Sequence, residues 1–262
     1  MRMLMTRTGL ALAVLLATLS GQAAAQDSIP RLRILFIGNS FFFFNDMPRT
    51  LQTLAMQRDP PVSIEVATVW AGGATLKNHW TDSSGAAKGM IKGAKWDYIV
   101  LQEQTTTPLL APDSMLAYGK KFGDEIRAVG TKALVCVTAA QRSRPPATQD
   151  SITLSYRRLA DAIGAKLVPA GPAWGEVRKL DPSLELYFID GSHPSKLGSF
   201  TTAVAFYRVL FGEPPRATST VAWQSVPGFD APWVLTYPIR FPATTVSTVN
   251  RAVEAAMTAV GR

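Results

Sequence analysis

The chain has 262 residues, 47% of them apolar, and carries a net charge of +8. That length and apolar content suit one domain of ordinary size with a sizeable core, and they exclude global disorder. The basic excess is spread along the chain. Its densest stretches, KGMIKGAK and RRLADAIGAK, lack interleaved aromatics, so they read as solvated helix faces and argue against a nucleic-acid partner.

In chain order, Arg2 and Arg7 precede the apolar run GLALAVLLATL, which ends in the small residues of GQAAAQ. This is the layout of a secretory signal peptide cut after Ala25. The run is short for a membrane span, and no later stretch is long and apolar enough to be one. Residues 26–262 are therefore expected to form a single exported domain, periplasmic or secreted, with a side-chain charge of +6 once Arg2 and Arg7 are gone. The mature segment opens on RLRILFIGNSFFFFNDMPRTL. Arg33 to Ile37 reads as a buried strand, Gly38 and Asn39 punctuate it, and Met47, Leu51, Leu54 and Ala55 recur at helical spacing. Ser40 then lies at a strand-to-helix turn, where a small hydroxyl can be a turn or capping residue and nothing more.

Four further apolar runs follow: Ser63 to Trp70, Asp97 to Gln102, Lys132 to Thr138 and Lys166 to Ala170. Between them Met115, Tyr118, Phe122, Ile126 and Val129 recur at helical steps behind an Asp113 cap, and Tyr156, Leu159 and Ile163 repeat the pattern. Strand alternating with helix predicts a parallel sheet covered on both faces, an α/β fold. The only cysteine, Cys136, lies in the run from Lys132 to Thr138, so no internal disulfide can form and a buried inert thiol is expected. SKLGSFTTAVAFYRVLFG reads as a helix stopped by Gly212. A stretch rich in Pro and Trp, 213–242, leads to a last helix from about Thr244 to Val260.

Ligands of open parallel sheets gather beyond the carboxyl ends of the strands. The turns expected there carry Ser40, the glycine pair of WAGGATLKNHW, and LQEQTTTP, where strand alternation would put Gln102 and Gln104 on one face. FIDGSHPSKLG adds Asp190 and His193, three apart. An aspartate so placed can fix an imidazole tautomer and leave the other ring nitrogen free as a base, the partner a serine hydroxyl needs to become nucleophilic. Each piece also has a plainer use: glycine pairs make turns, glutamines rim strand ends, and Asp with a nearby His can cap the helix from Ser195. Metal binding is disfavoured because His79 is the only other histidine. The motifs G-x-G-x-x-G, G-x-x-x-x-G-K-[ST] and G-x-S-x-G are all absent from the first turn.

Taken together and in order, IGNS, GGAT, LQEQ and DGSHP resemble the sequence blocks of the SGNH, or GDSL-type, hydrolases, over roughly Arg33 to Phe211. The resemblance implies a three-layer α/β/α sandwich of flavodoxin type and a cofactor-free, metal-free esterase. Ser40 would be nucleophile, His193 general base and Asp190 its orienting acid, with oxyanion donors from Ser40 N–H and Gly73 N–H. Two blocks depart from the pattern. Asn39 replaces the usual aspartate before the nucleophile. QEQTTT replaces the Gly-x-Asn-Asp setting of the third block, leaving Gln104 as the first choice for the side-chain oxyanion donor and Gln102 as the second. The implied substrate is an acetyl or short-chain ester of a carbohydrate or small molecule. An acyltransferase and a non-catalytic carbohydrate-binding protein are the alternatives on the same fold. His79 can line the pocket or pack, and Trp70, Trp80, Trp174 and the phenylalanine run can form its walls or belong to the core.

Overall fold

Strand residues point alternately to opposite faces, so a sheet covered on both sides needs two apolar sets along each strand. The computed structural model describes residues 29–216, 221–225 and 236–261. The expected signal segment, 1–25, lies outside these residues, as does part of the 213–242 stretch. The elements are β1 (Arg31–Gly38), α1 (Ser40–Phe43), α2 (Met47–Met56), β2 (Ser63–Trp70), α3 (Leu76–Thr81), α4 (Ala86–Gly93), β3 (Tyr98–Leu101), α5 (Thr107–Leu110) and α6 (Pro112–Ala128). They continue with β4 (Lys132–Cys136), α7 (Thr148–Ile163), β5 (Lys166–Val168), α8 (Ala170–Leu180), α9 (Lys196–Phe211), the antiparallel pair β6 (Val221–Ser225) and β7 (Thr236–Arg240), and α10 (Ala243–Val260).

The five strands of the main sheet are parallel, in the order β2-β1-β3-β4-β5. This is the flavodoxin-like order, and its crevice opens where the connections from β1 and from β3 leave in opposite directions, at the carboxyl ends of those two strands. On one face Ile34, Phe36, Val100, Leu134 and Cys136 pack against α2, α8, α9 and α10. On the other, Leu35, Ile37, Ile99, Leu101 and Val135 pack against α3, α4, α6 and α7. The result is the three-layer α/β/α sandwich expected from the sequence.

Two local expectations are corrected. The third strand ends at Leu101, so strand alternation does not extend to Gln102 and Gln104. Asp113 is not a cap: Pro112 opens α6, Ala111 precedes it without a side-chain cap bond, and Asp113 is already inside the first turn. Proline suits that first position because it lacks an N–H that would go unpaired there. Among the described residues no helix is long and apolar enough to cross a membrane.

Candidate active site

The turn after β1 brings Ser40 to the sheet's carboxyl edge as the first residue of α1. Asn39, not Ser40, is the cap: its Oδ1 accepts from Phe41 N at 3.1 Å. Its Nδ2 donates to Ala74 O at 3.0 Å, a bond an ionised aspartate could not make. Phe41, Phe42 and Phe43 of this short helix, with Phe44 just after it, pack in four directions. Phe41 stacks on Trp174, and Phe42 meets Phe36 and Phe206 edge-on. Phe43 stacks on Trp70 with centroids 4.3 Å apart, and Phe44 lies parallel to the His193 ring at 4.2 Å and 11°. Burying each of Phe41 and Phe42 contributes about 1.5–3 kcal/mol, so an otherwise marginal four-residue helix is held in one place.

His193 reaches Ser40 from a loop 153 residues further on, with Ser40 Oγ 2.9 Å from its Nε2. Its Nδ1 lies 2.5 Å from Asp190 Oδ2, while Asp190 Oδ1 accepts from Ser192 N and His193 N, each at 2.9 Å. Burial opposes ionisation of Asp190, yet the bonds from His193 and Ser192 outweigh it and hold the carboxyl below its ordinary range. An ionised carboxylate can only accept, so Nδ1 carries the proton and Nε2 is free to accept from Ser40. The helix-capping alternative for this pair is answered by Ser195, whose Oγ accepts from Leu197 N and Gly198 N and so caps α9 itself. Asn45, buried with a left-handed backbone (φ 56°), ties the two arms together: its Nδ2 donates to Pro194 O and to Ser199 Oγ.

The loop after β2 carries Gly73 at φ +64°, a conformation that disfavours any side chain. Neither Gly73 N–H nor Ser40 N–H donates to an acceptor among the described residues. The two glutamines do different things. Gln102 is fully buried; its Oε1 accepts from Asn39 N at 3.0 Å and its Nε2 donates to Glu103 O. A Cβ on Gly38 would come within 2.5 Å of that Oε1, so the close approach needs a glycine there. Gln104 is half-buried; its Oε1 accepts from Thr106 and Thr107, while its Nε2 has no partner among the described residues.

Sequence reasoning passed over Glu103, between those glutamines. It is 1% exposed, accepts from Leu76 N and Gln104 N, and is pushed by burial up to about 7 against the pull of those bonds. A carboxylate two residues past an apolar strand was the available signal. His79, on α3, is also buried, and its Nε2 donates to Gly38 O at 2.7 Å. Burial lowers its pKa, against the hydrogen bond to Gly38 and the charge of Asp82. Of the remaining candidates, Trp174 is core, Trp80 packs on Phe122, and Trp70 is 41% exposed beside Phe43 at the site's rim. Cys136 is buried, which raises its thiol pKa. Among the described residues no three His, Cys, Asp or Glu side chains are grouped to hold a metal. A groove of about 870 Å³ between α7 and α8, lined in part by Arg144, Arg157 and Arg178, approaches the site through Gln141, whose Nε2 donates to Ser192 Oγ.

No family profile and no curated protein matches the chain. Solved structures do. A DUF4886 family protein from Bacteroides uniformis is similar at TM-score 0.64 and 18% identity, over 87% of this chain and 95% of that one. A candidate SGNH hydrolase from Slackia heliotrinireducens gives 0.57 and 24%, over 69% and 99%. Axe2, an acetylxylan esterase from Geobacillus stearothermophilus, gives 0.54 and 18%, over 71% and 96%. At such identities the likeness concerns architecture, and with the strand order above it leads to one statement: this chain has the α/β/α fold of the SGNH hydrolases.

Proposed function

We propose that this protein is an exported serine esterase, independent of metal or cofactor, that cleaves an acetyl or short acyl ester of a carbohydrate or related small molecule. Residues 1–25 would be its signal peptide and 26–262 its one domain. The observation that carries the reading is the unbroken chain from Asp190 through His193 to Ser40 Oγ at the carboxyl end of β1. In the proposed reaction His193 Nε2 takes the Ser40 proton as Oγ attacks the ester carbonyl. The oxyanion is met by Ser40 N–H and Gly73 N–H, with Gln104 Nε2 as the third donor, because both ends of the Gln102 amide are already engaged. Collapse expels the alcohol, protonated by His193, and leaves an acyl-Ser40. Water, deprotonated by His193, then releases the acid and restores the serine. The acetyl preference leans on the Axe2 neighbour, named for acetylated xylan.

The test is to treat the purified protein with a fluorophosphonate and assay it on a panel of acyl esters. Label should attach at Ser40, and Ser40→Ala should fold normally yet lose turnover by on the order of a thousandfold or more. A folded Ser40→Ala that keeps near-parental turnover overturns the assignment.

A further inference from the structure

Two buried polar side chains near the site take no part in the proposed chemistry. Both touch α3, the six-residue helix whose start follows the Gly72-Gly73 turn. A helix of fewer than two turns has no stability of its own, so tertiary bonds decide where it sits. Its capping box, Thr75 with Asn78, closes the first turn but fixes nothing outside the helix. Glu103 and His79 supply the outside ties. The Glu103 carboxylate accepts from Leu76 N, the first residue of α3, and from Gln104 N, which joins the loop after β2 to the loop after β3. His79 donates to Gly38 O and joins α3 to the end of β1.

Two more bonds close a triangle. Asn39 Nδ2 to Ala74 O links the first loop to the second, and Asn39 N to Gln102 Oε1 links the first to the third. All of its side chains are at least nine-tenths buried: Asn39 3%, His79 6%, Gln102 0% and Glu103 1% exposed. Bonds so shielded are strong and costly to leave unmade. The two free N–H groups, of Ser40 and Gly73, sit on two corners of this triangle. Their separation depends on it.

We propose that Glu103 and His79 are positioning residues that clamp α3 against the end of β1 and the loop after β3, holding Gly73 N–H in register with Ser40 N–H. The inference rests on the serine-esterase reading. Glu103 acts as the shared acceptor of two loops and His79 as the donor that stops α3 from sliding along β1. Neither touches the substrate. Donors pay off in catalysis only when already aimed at the oxyanion, and a misplacement of about 1 Å can cost on the order of a hundredfold. Disturbing the clamp should therefore depress kcat with little change in KM.

The experiment is steady-state kinetics on an activated acetyl ester, with kcat expressed per fluorophosphonate-labelled site so that loss of folded protein is divided out. Glu103→Leu, Glu103→Asp and His79→Phe should each lower kcat per labelled site by about tenfold or more, with KM within about twofold. Glu103→Gln keeps an acceptor for Leu76 N and His79→Gln keeps a donor for Gly38 O, so both should stay within about threefold of the parent. If Glu103→Leu fails to fold, Glu103→Asp and His79→Phe decide. Unchanged kcat per site in the truncating variants, or a loss in the Gln variants as deep as in those, overturns the clamp. With Ser40→Ala alongside, an inactive Ser40→Ala next to unimpaired clamp variants sinks only the clamp, whereas an active Ser40→Ala sinks the esterase reading and the clamp with it.

Discussion

The two halves of the candidate site are built differently. The corner that holds Ser40 and Gly73 rests on buried hydrogen bonds between three strand-end loops, with Gln102 and Glu103 at 0% and 1% exposure. The Asp190–His193 side is a solvent-open loop, its side chains 39% and 34% exposed. That loop is organised by its own turn, by Phe44 stacked on the imidazole and by Asn45 beneath Pro194. On the proposed esterase reading, one half must be rigid to present donors at a fixed spacing, whereas the other only has to orient one ring, and it can do so in water. Substitutions in the open half should cost activity with little stability, and substitutions in the buried half should cost both.

The largest effect that sharpens this contrast is at Asp190. Asp190→Asn keeps the shape of the loop but favours the wrong imidazole tautomer, so kcat should fall by about a hundredfold or more with KM and Tm nearly unchanged. A large drop in Tm would mean that the open loop holds the fold, and the comparison would fail.

Next come the two glutamines. Gln104→Ala removes the candidate third donor and should lower kcat by on the order of a hundredfold, about 3 kcal/mol, with KM nearly constant. Gln102→Ala leaves Asn39 N buried without its acceptor, which costs about 1–3 kcal/mol of stability. At about 2–4 °C per kcal/mol for a chain of this size, its Tm should fall visibly. Kinetics and thermal melts of both variants separate the roles. A larger kcat loss at Gln102, with Tm intact, would reverse them.

The smallest effect is the pH dependence of stability within the buried half. Folded Glu103 titrates at about 7, above its ordinary 4.5, so the folded state holds the extra proton across that window and stability from this group is lost as pH rises through it. His79 is shifted down from 6.5, so the unfolded state holds the extra proton and stability from this group is lost as pH falls below the ordinary histidine range. The two slopes oppose each other. Glu103→Gln should make Tm rise more steeply between pH 5 and 7 than in the parent, and His79→Gln should make it rise less. Identical profiles for the two variants would show that burial of these groups does not govern the pH response.

The fold was legible because each strand and helix writes its burial into its own periodicity. Leu35 and Ile37 face one helical layer and Ile34 and Phe36 the other, as alternation requires. Ser40 and the DGSHP block were legible as a pair because their chemistry is unusual at strand and helix ends. The glutamines were not. Strand alternation was carried past Leu101, where the chain leaves the sheet, and nothing local distinguishes an amide that props a backbone from one that faces a ligand. Glu103 was hidden for a similar reason, since a charged residue in a loop reads as solvated until the helices around it are known.

The sequence by itself determined the layered α/β architecture, the turn that carries Ser40 and the spacing that lets Asp190 orient His193, because these depend on apolar period and on neighbours a few residues apart. Only the tertiary structure decided that Asn39 donates across to Ala74, that Gln102 lies beneath the Ser40 turn, that His79 grips Gly38, and that each of four phenylalanines packs on a different partner. Those partners lie from 6 to 164 residues away along the chain, most of them on other elements. A hydrogen bond or ring contact of that kind exists only once the sheet has brought the loops together, and no local pattern records which groups will meet.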